Sequence, residues 1–261
     1  MSALPASPNL APGFCVIIPA RMSSTRLPGK PLADIHGRPM LAWVHDCAAL
    51  SGAEFIVIAT DDAKIQQVAK DFGAQALLTS PAHQSGTDRL AEVIIELELP
   101  DHQIVVNLQG DEPLMVPALL QQVAQLLVDQ PRAALATLMV PIVDAHEFND
   151  PSAVKVVVNN QGQALYFSRS PIPCYRDGSP AQGQVLGYRH LGLYAYRAGF
   201  LRRFVATPMA ELEQAEKLEQ LRALAMGESI AIAKAQCIPP VGVDTPSDLA
   251  RVRAALDPHK A

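Results

Sequence analysis

At 261 residues the chain is long enough for one large domain, or one domain with a sizeable insertion, around a core that needs no covalent staple. Its 49% hydrophobic, 18% charged and 5% aromatic make-up is that of a soluble globular protein, and 21 cations against 26 anions, net -5, with no Lys/Arg run, argue against nucleic acid as a partner. The longest apolar stretch, 133–143, contains Thr137 and Pro141 and falls short of the roughly 20 residues of a membrane helix. Cys15, Cys47, Cys174 and Cys237 are widely spaced and form no CxxC, which speaks against a zinc knuckle or a disulfide framework and for a reducing, cytoplasmic compartment.

Residues 1–13 carry Pro5, Pro8 and Pro12 but no Lys or Arg, so they lack the form of a secretory signal and read as a disordered extension. From residue 14, short β-rich runs alternate with helical patterns. Strands are expected at 14–18, 55–59, 76–78 and 104–107, and helices, from apolar residues spaced three and four apart, at 39–50, 62–72, 86–97 and 117–129. Strand–helix alternation with short connections predicts an α/β, doubly wound sheet with helices on both faces. After Pro141 the rhythm changes. Runs 154–158 and 164–167, joined by Asn159-Asn160-Gln161-Gly162, predict a β-hairpin. A loop rich in proline and glycine, 171–187, follows, then a strand at 189–196, one amphipathic helix at 211–226, a strand at 230–235 and a closing helix at 246–256. Residues 14–261 thus read as a single domain, with about 141–188 as an inserted subdomain or dimerisation arm.

Open α/β sheets bind ligands beyond the carboxyl ends of their strands. The loop after the first strand, PARMSSTRLPGKP, sets Arg21, Arg26 and Lys30 among prolines and small hydroxyl residues, a composition suited to a triphosphate. Neither familiar phosphate loop is present: the chain has no GxG, and Ser24 stands where GxxxxGK needs glycine. A second group, VVNLQGDEP, runs from a buried strand into Gln109-Gly110-Asp111-Glu112. There Asp111 either holds Mg²⁺ against phosphate oxygens or caps the following turn. Asp244, before Thr245-Pro246, is either a second metal ligand or a helix N-cap.

The strings IIPARMSSTRLPGKPLADIHGRPM, IATDD, HQSGTDRLAEV, VNLQGDEP, AVKVV, ALYFSRSPIP, YRHLGLYAYR, LEQLR and GVDTPSDLARVR resemble, in order, the motifs of the 3-deoxy-manno-octulosonate cytidylyltransferases, from Phe14 to about Leu256. The resemblance implies a mixed-sheet nucleotidyltransferase fold with a hairpin dimerisation region. It also implies a Mg²⁺-dependent reaction of CTP with 3-deoxy-D-manno-octulosonate (Kdo), giving CMP-Kdo and pyrophosphate for lipopolysaccharide synthesis, by a cytoplasmic homodimer. Carried over residue by residue, Ala20, Arg21, Ser24, Arg26 and Lys30 face the CTP phosphates and ribose. Ala59, Thr60, Asp61, Ser85, Gly86 and Arg89 surround cytosine and its sugar. Asp111 and Asp244 bind the metal, and Gln109, His190, Tyr194, Glu219 and Gln220 form the Kdo pocket. Arg21, Lys30, Asp111 and Asp244 carry catalysis by neutralising charge. Met22 stands where the family often has an aromatic, and Cys174 where some relatives have tryptophan.

Apart from the resemblance, His190 reads equally as a structural histidine and Glu219 as a solvated helix residue at the edge of a buried face. Two rivals stay open: a cytidylyltransferase for another sugar acid, such as sialic acid or an amino-substituted Kdo, and a non-catalytic nucleotide-binding regulator.

Overall fold

The computed structural model describes residues 13–23, 26–83, 85–178, 180–181 and 183–257. In chain order the elements are β1 (Phe14–Ala20), β2 (Asp34–Ile35), β3 (Arg38–Pro39), α1 (Met40–Ala49), β4 (Ile56–Thr60), α2 (Ala63–Asp71), β5 (Gln75–Leu78), α3 (Gly86–Glu96), β6 (Ile104–Asn107), α4 (Pro117–Asp129), β7 (Leu135–Ile142) and α5 (Ala145–Asn149). They continue as β8 (Lys155–Val158), β9 (Ala164–Ser168), β10 (Gly187–Arg197), α6 (Ala198–Ala206), α7 (Glu211–Glu216), α8 (Gln220–Ala225), β11 (Ile230–Lys234) and α9 (Pro246–Ala255).

The main sheet has the order β11-β7-β10-β6-β1-β4-β5. All neighbours on this path pair in parallel except β10, which runs antiparallel to both β6 and β7. Period-two alternation sends β1 side chains to two cores. Val16 and Ile18 pack with Leu41, Val44, Leu120 and Val123 of α1 and α4. Cys15 and Ile17 join Leu90 and Ile94 of α3 and Phe200 and Phe204 of α6 on the opposite face. Helices on both faces make the sheet doubly wound and bury its central strands β1, β4 and β6 almost completely, hence their near-continuous apolar sequence.

One expectation needs correction, and two elements went unread in the sequence. The stretch 133–143, read only as too short for a membrane helix, is the interior strand β7. Buried on both faces, it shows neither alternation nor helical spacing. The expected helix over 211–226 breaks at Lys217, whose φ is 54°, into α7 and α8. The cause is tertiary: the Glu216 carboxylate accepts from Ser168 Oγ (2.6 Å) and Arg169 N (2.9 Å), drawing this turn onto the hairpin base. α6, which covers the second core, was also not foreseen.

The β8–β9 hairpin has the expected turn, with Asn159 N donating to Gln163 O (2.9 Å). It belongs to the main sheet, since Val156 and Lys155 pair with Tyr188 and Arg189 of β10. Its base is knotted by the wholly buried Lys155, whose ammonium donates to the carbonyls of Asp150, Ala153 and Arg169 at 2.6–2.7 Å. The expected N-terminal extension lies, up to residue 12, outside the described residues.

Candidate active site

β1 and β6 lie side by side in the sheet and release their chains in the same direction. The two exits approach so closely that a Cβ on Gly110 would come within 2.8 Å of the Pro19 carbonyl oxygen, so only glycine fits there. Around this contact opens a cleft of about 340 Å³ lined by Ala20, Arg21, Arg26, Lys30, Gln109, Asp111 and Asp244. At its floor the Lys30 ammonium donates to Asp111 Oδ2 (2.6 Å) and to Asp244 Oδ1 (3.2 Å), while Arg26 pairs with Asp244 Oδ2 (3.0 Å). Asp111 therefore spends its carboxylate on Lys30. Asp244 arrives from 214 residues away because α9 packs through Leu249 and Val252 against Ile35 and Met40, at the start of α1. Thr245, not Asp244, is the N-cap of α9, in a reciprocal capping box with Asp248, which leaves the Asp244 carboxylate free to face the cleft. Val243 N donates to Asp111 O (2.8 Å), tying the two acidic loops together. Behind them, burial and the adjacent Asp111 push the Glu112 carboxyl up to about 8. Arg21 and Arg26 are exposed; Ser24 lies outside the described residues.

The second group adjoins this cleft. Gly86, at the start of α3, faces Pro19 so closely that a Cβ would stand 3.3 Å from its ring. Ser85 caps α3, accepting from Asp88 N (3.1 Å). Ala59 and Thr60 are fully buried, backbone included, and the Thr60 carbonyl already accepts from Thr79 N (2.8 Å), so they shape this wall from behind its surface. Arg89 departs from expectation. Its guanidinium is buried, paired with Asp61 and donating to Thr79 Oγ1 (2.8 Å), so it braces the ends of β4 and β5 rather than reaching into open space.

The third group lies across β10. His190 and Tyr194 are in ring contact at 5.3 Å, and Tyr194 is register-paired with Asn107. Glu219 is neither solvated nor inside a helix: it precedes α8, and its half-buried carboxylate accepts from Thr87 Oγ1 (2.8 Å). Burial raises the pKa values of Glu219, Tyr194 and Tyr196. Gln220 is buried and its Nε2 has no partner, a donor without an acceptor in the folded chain. Gln109 bridges the first and third groups, lining the cleft while its Nε2 approaches Asn107 Oδ1 (3.5 Å).

A family model described as cytidylyltransferase matches residues 15–230. Over 247 residues the chain is 53% identical to a 3-deoxy-manno-octulosonate cytidylyltransferase of Aliivibrio fischeri, covering 93% of this chain and 98% of that protein. Over 252 residues it is 53% identical to the like-named protein of Halorhodospira halophila, with 94% and 97% covered. A solved CMP:2-keto-3-deoxy-manno-octonic acid synthetase, complexed with CTP, superposes with a TM-score of 0.86 at 43% identity, covering 94% of this chain and 98% of that one. The chain belongs to the 3-deoxy-manno-octulosonate cytidylyltransferase family. The likeness to 4-diphosphocytidyl-2C-methyl-D-erythritol synthase, TM-score 0.63 at 14% identity, shows a shared fold alone.

For a member of this family the sequence departures are mild in place. Met22 packs against the first core, and Cys174 is exposed. Sequence reasoning missed Thr87 and Thr137, whose hydroxyls grip Glu219 and His190. Isolated threonines carry no pattern, and only the fold brings them to their partners.

Proposed function

We propose that this chain transfers the cytidylyl group of CTP to Kdo, giving CMP-Kdo and pyrophosphate for lipopolysaccharide synthesis. The observation that carries this reading is the convergence of Lys30, Asp111 and Asp244 beneath a cleft rimmed by Arg21 and Arg26, one wall of which leads through Gln109 to the polar residues on β10. The anomeric C2 hydroxyl of Kdo attacks the α-phosphorus in line and pyrophosphate departs. Arg21, Arg26 and Lys30 hold the phosphate oxygens and offset their charge, and no covalent intermediate with the enzyme is needed. Ala20 lines the phosphate side, to which the family resemblance also assigns Ser24. The backbone around Ala59, Thr60, Ser85 and Gly86 meets cytosine and its ribose, with Asp61 and Arg89 bracing that wall. His190, Tyr194, Glu219, Gln220 and Gln109 take the sugar acid.

The donor set fits a hard divalent cation. Asp111 and Asp244 aim their oxygens at one ammonium, hence at one locus, and two carboxylates completed by phosphate oxygens and water are what Mg²⁺ takes. Among the described residues no group of three or more His, Cys, Asp or Glu side chains could hold a metal ion, so phosphate oxygens and water would complete the shell around the two carboxylates. Bound there, Mg²⁺ supplies neutralisation of α-phosphate charge.

The reading extends to a cytoplasmic homodimer joined through about 141–188, where Val143, Leu165 and Val185 expose apolar side chains. Among the described residues no helix is long and apolar enough to cross a membrane. The test is pyrophosphate release from CTP with a panel of eight- and nine-carbon keto sugar acids, with and without Mg²⁺. Kdo is expected to be the preferred acceptor. Preference for sialic acid or an amino-substituted Kdo would redraw the sugar pocket, and no release with any acid would leave a nucleotide-binding regulator.

A further inference from the structure

β10 carries a bulge: Leu191 pairs with Leu138, but the next partner on β7, Thr137, faces Tyr194, leaving Gly192 and Leu193 outside the ladder. The Thr137 hydroxyl fills this irregularity. Its Oγ1 lies 2.9 Å from Leu191 O, 2.8 Å from Leu193 O and 2.9 Å from His190 Nε2. A hydroxyl has one proton and a carbonyl only accepts. Were Nε2 a bare nitrogen taking that proton, both oxygen–oxygen contacts would be lone pair against lone pair at under 3 Å. The proton therefore belongs to the carbonyls, and Nε2–H donates to Thr137 Oγ1.

The ring itself is wedged between Phe167 (4.9 Å) and Tyr194 (5.3 Å), and burial together with Arg189 pushes its pKa down to about 3, so it is neutral. With the proton on Nε2, Nδ1 is left as a lone-pair acceptor. Among the described residues the only buried side-chain nitrogen or oxygen atoms lacking a partner are Gln220 Nε2 and Ser229 Oγ. Nδ1 makes no hydrogen bond there, in a residue that is only partly buried.

We propose that Thr137 is a positioning residue that locks His190 as the Nε2–H tautomer, so that its bare Nδ1 accepts a hydrogen bond from a hydroxyl of the sugar acid rather than facing its carboxylate. A carboxylate has no proton to give such an acceptor, whereas every sugar hydroxyl has one. This rests on the proposed reaction for the identity of the sugar, but the tautomer does not.

The test is a long-range ¹H–¹⁵N spectrum of protein labelled in histidine, at neutral pH without ligand, the His190 signals being assigned by their loss in His190→Gln. The expected result is a protonated Nε2 and a bare Nδ1; a protonated Nδ1 or an imidazolium overturns the proposal. Adding Kdo should shift Nδ1 toward the hydrogen-bonded range. An unmoved Nδ1 under conditions of Kdo turnover overturns the hydroxyl contact, whereas absence of any Kdo turnover overturns the proposed function and leaves the ligand-free spectrum as it was. Thr137→Val should release the tautomer and raise the KM for Kdo several-fold with CTP affinity within twofold, and Thr137→Ser should restore both. Because Thr137→Val also strands two carbonyls, a variant that fails to fold leaves the wild-type and Thr137→Ser spectra to decide.

Discussion

Lys30 is the residue through which the two acidic loops meet. Its ammonium is shared by carboxylates from loops that follow β6 and precede α9, each within 3.2 Å. Without such a partner the two aspartates would repel one another, so Lys30 is what lets a pair of like charges converge on one locus. Under the proposed assignment Asp111→Asn removes one charge at nearly constant volume. It should lower kcat at least a hundredfold, about 2.7 kcal/mol in the barrier, with little change in the KM for CTP or in Tm. Steady-state kinetics beside a thermal melt check this, and Mg²⁺-dependent turnover surviving within tenfold would sink the metal role of Asp111. At this scale the sequence was readable where residues sit close in the chain, as for Arg21 to Lys30 or Gln109 to Asp111. At Arg89, which the resemblance alone places beside cytosine, nothing local announces that Asp61 and Thr79 already engage the guanidinium.

Among the elements, α9 bears most directly on the site, since its N-terminus sets where Asp244 points. Hydrogen bonds from the Thr245 hydroxyl and from the amides of Asp244 and Thr245, with Arg251 alongside, hold the Asp248 carboxyl down from 3.8 to about 2. A folded-state pKa below the unfolded one means stabilisation that is fully present above 3.8 and is lost as pH falls through about 2. The amide resonances of Asp244 and Thr245 should therefore titrate with a midpoint near 2, and Asp248→Asn should abolish the transition. A midpoint at the ordinary carboxylate value would show that the box does not hold in solution. The α7–α8 break teaches the complementary lesson. The 211–226 pattern is amphipathic throughout, and only the pull of Ser168 and Arg169 on Glu216, 47 and more residues away in sequence, decides that the chain turns at Lys217 and delivers Glu219 to Thr87.

Over the whole molecule, the strand–helix alternation of the first half was plain because each main-sheet strand there is followed by a helix that repeats the code, whereas β7 lies in a continuous apolar run and the strand expected at 189–196 carried no sign that β10 would run antiparallel to both its neighbours. The half that was readable also frames the wall proposed to meet cytosine. Crowding of α3 against Pro19 at Gly86, beside the wholly buried Ala59 and Thr60, leaves this wall little room to give. CTP should accordingly exceed ATP and GTP by well over a hundredfold in kcat/KM, with UTP closer, as measured by pyrophosphate release; a purine must both clash and strand polar backbone groups. Comparable turnover with ATP would remove the pyrimidine pocket from these residues. The attachment of Asp244 has a different consequence, for local opening. The strands of the main sheet are complete at Lys234, and α9 is held by a small apolar cluster of its own with Ile35 and Met40. Loosening of that cluster alone would withdraw one of the two carboxylates from Lys30 while every strand of the main sheet stayed paired.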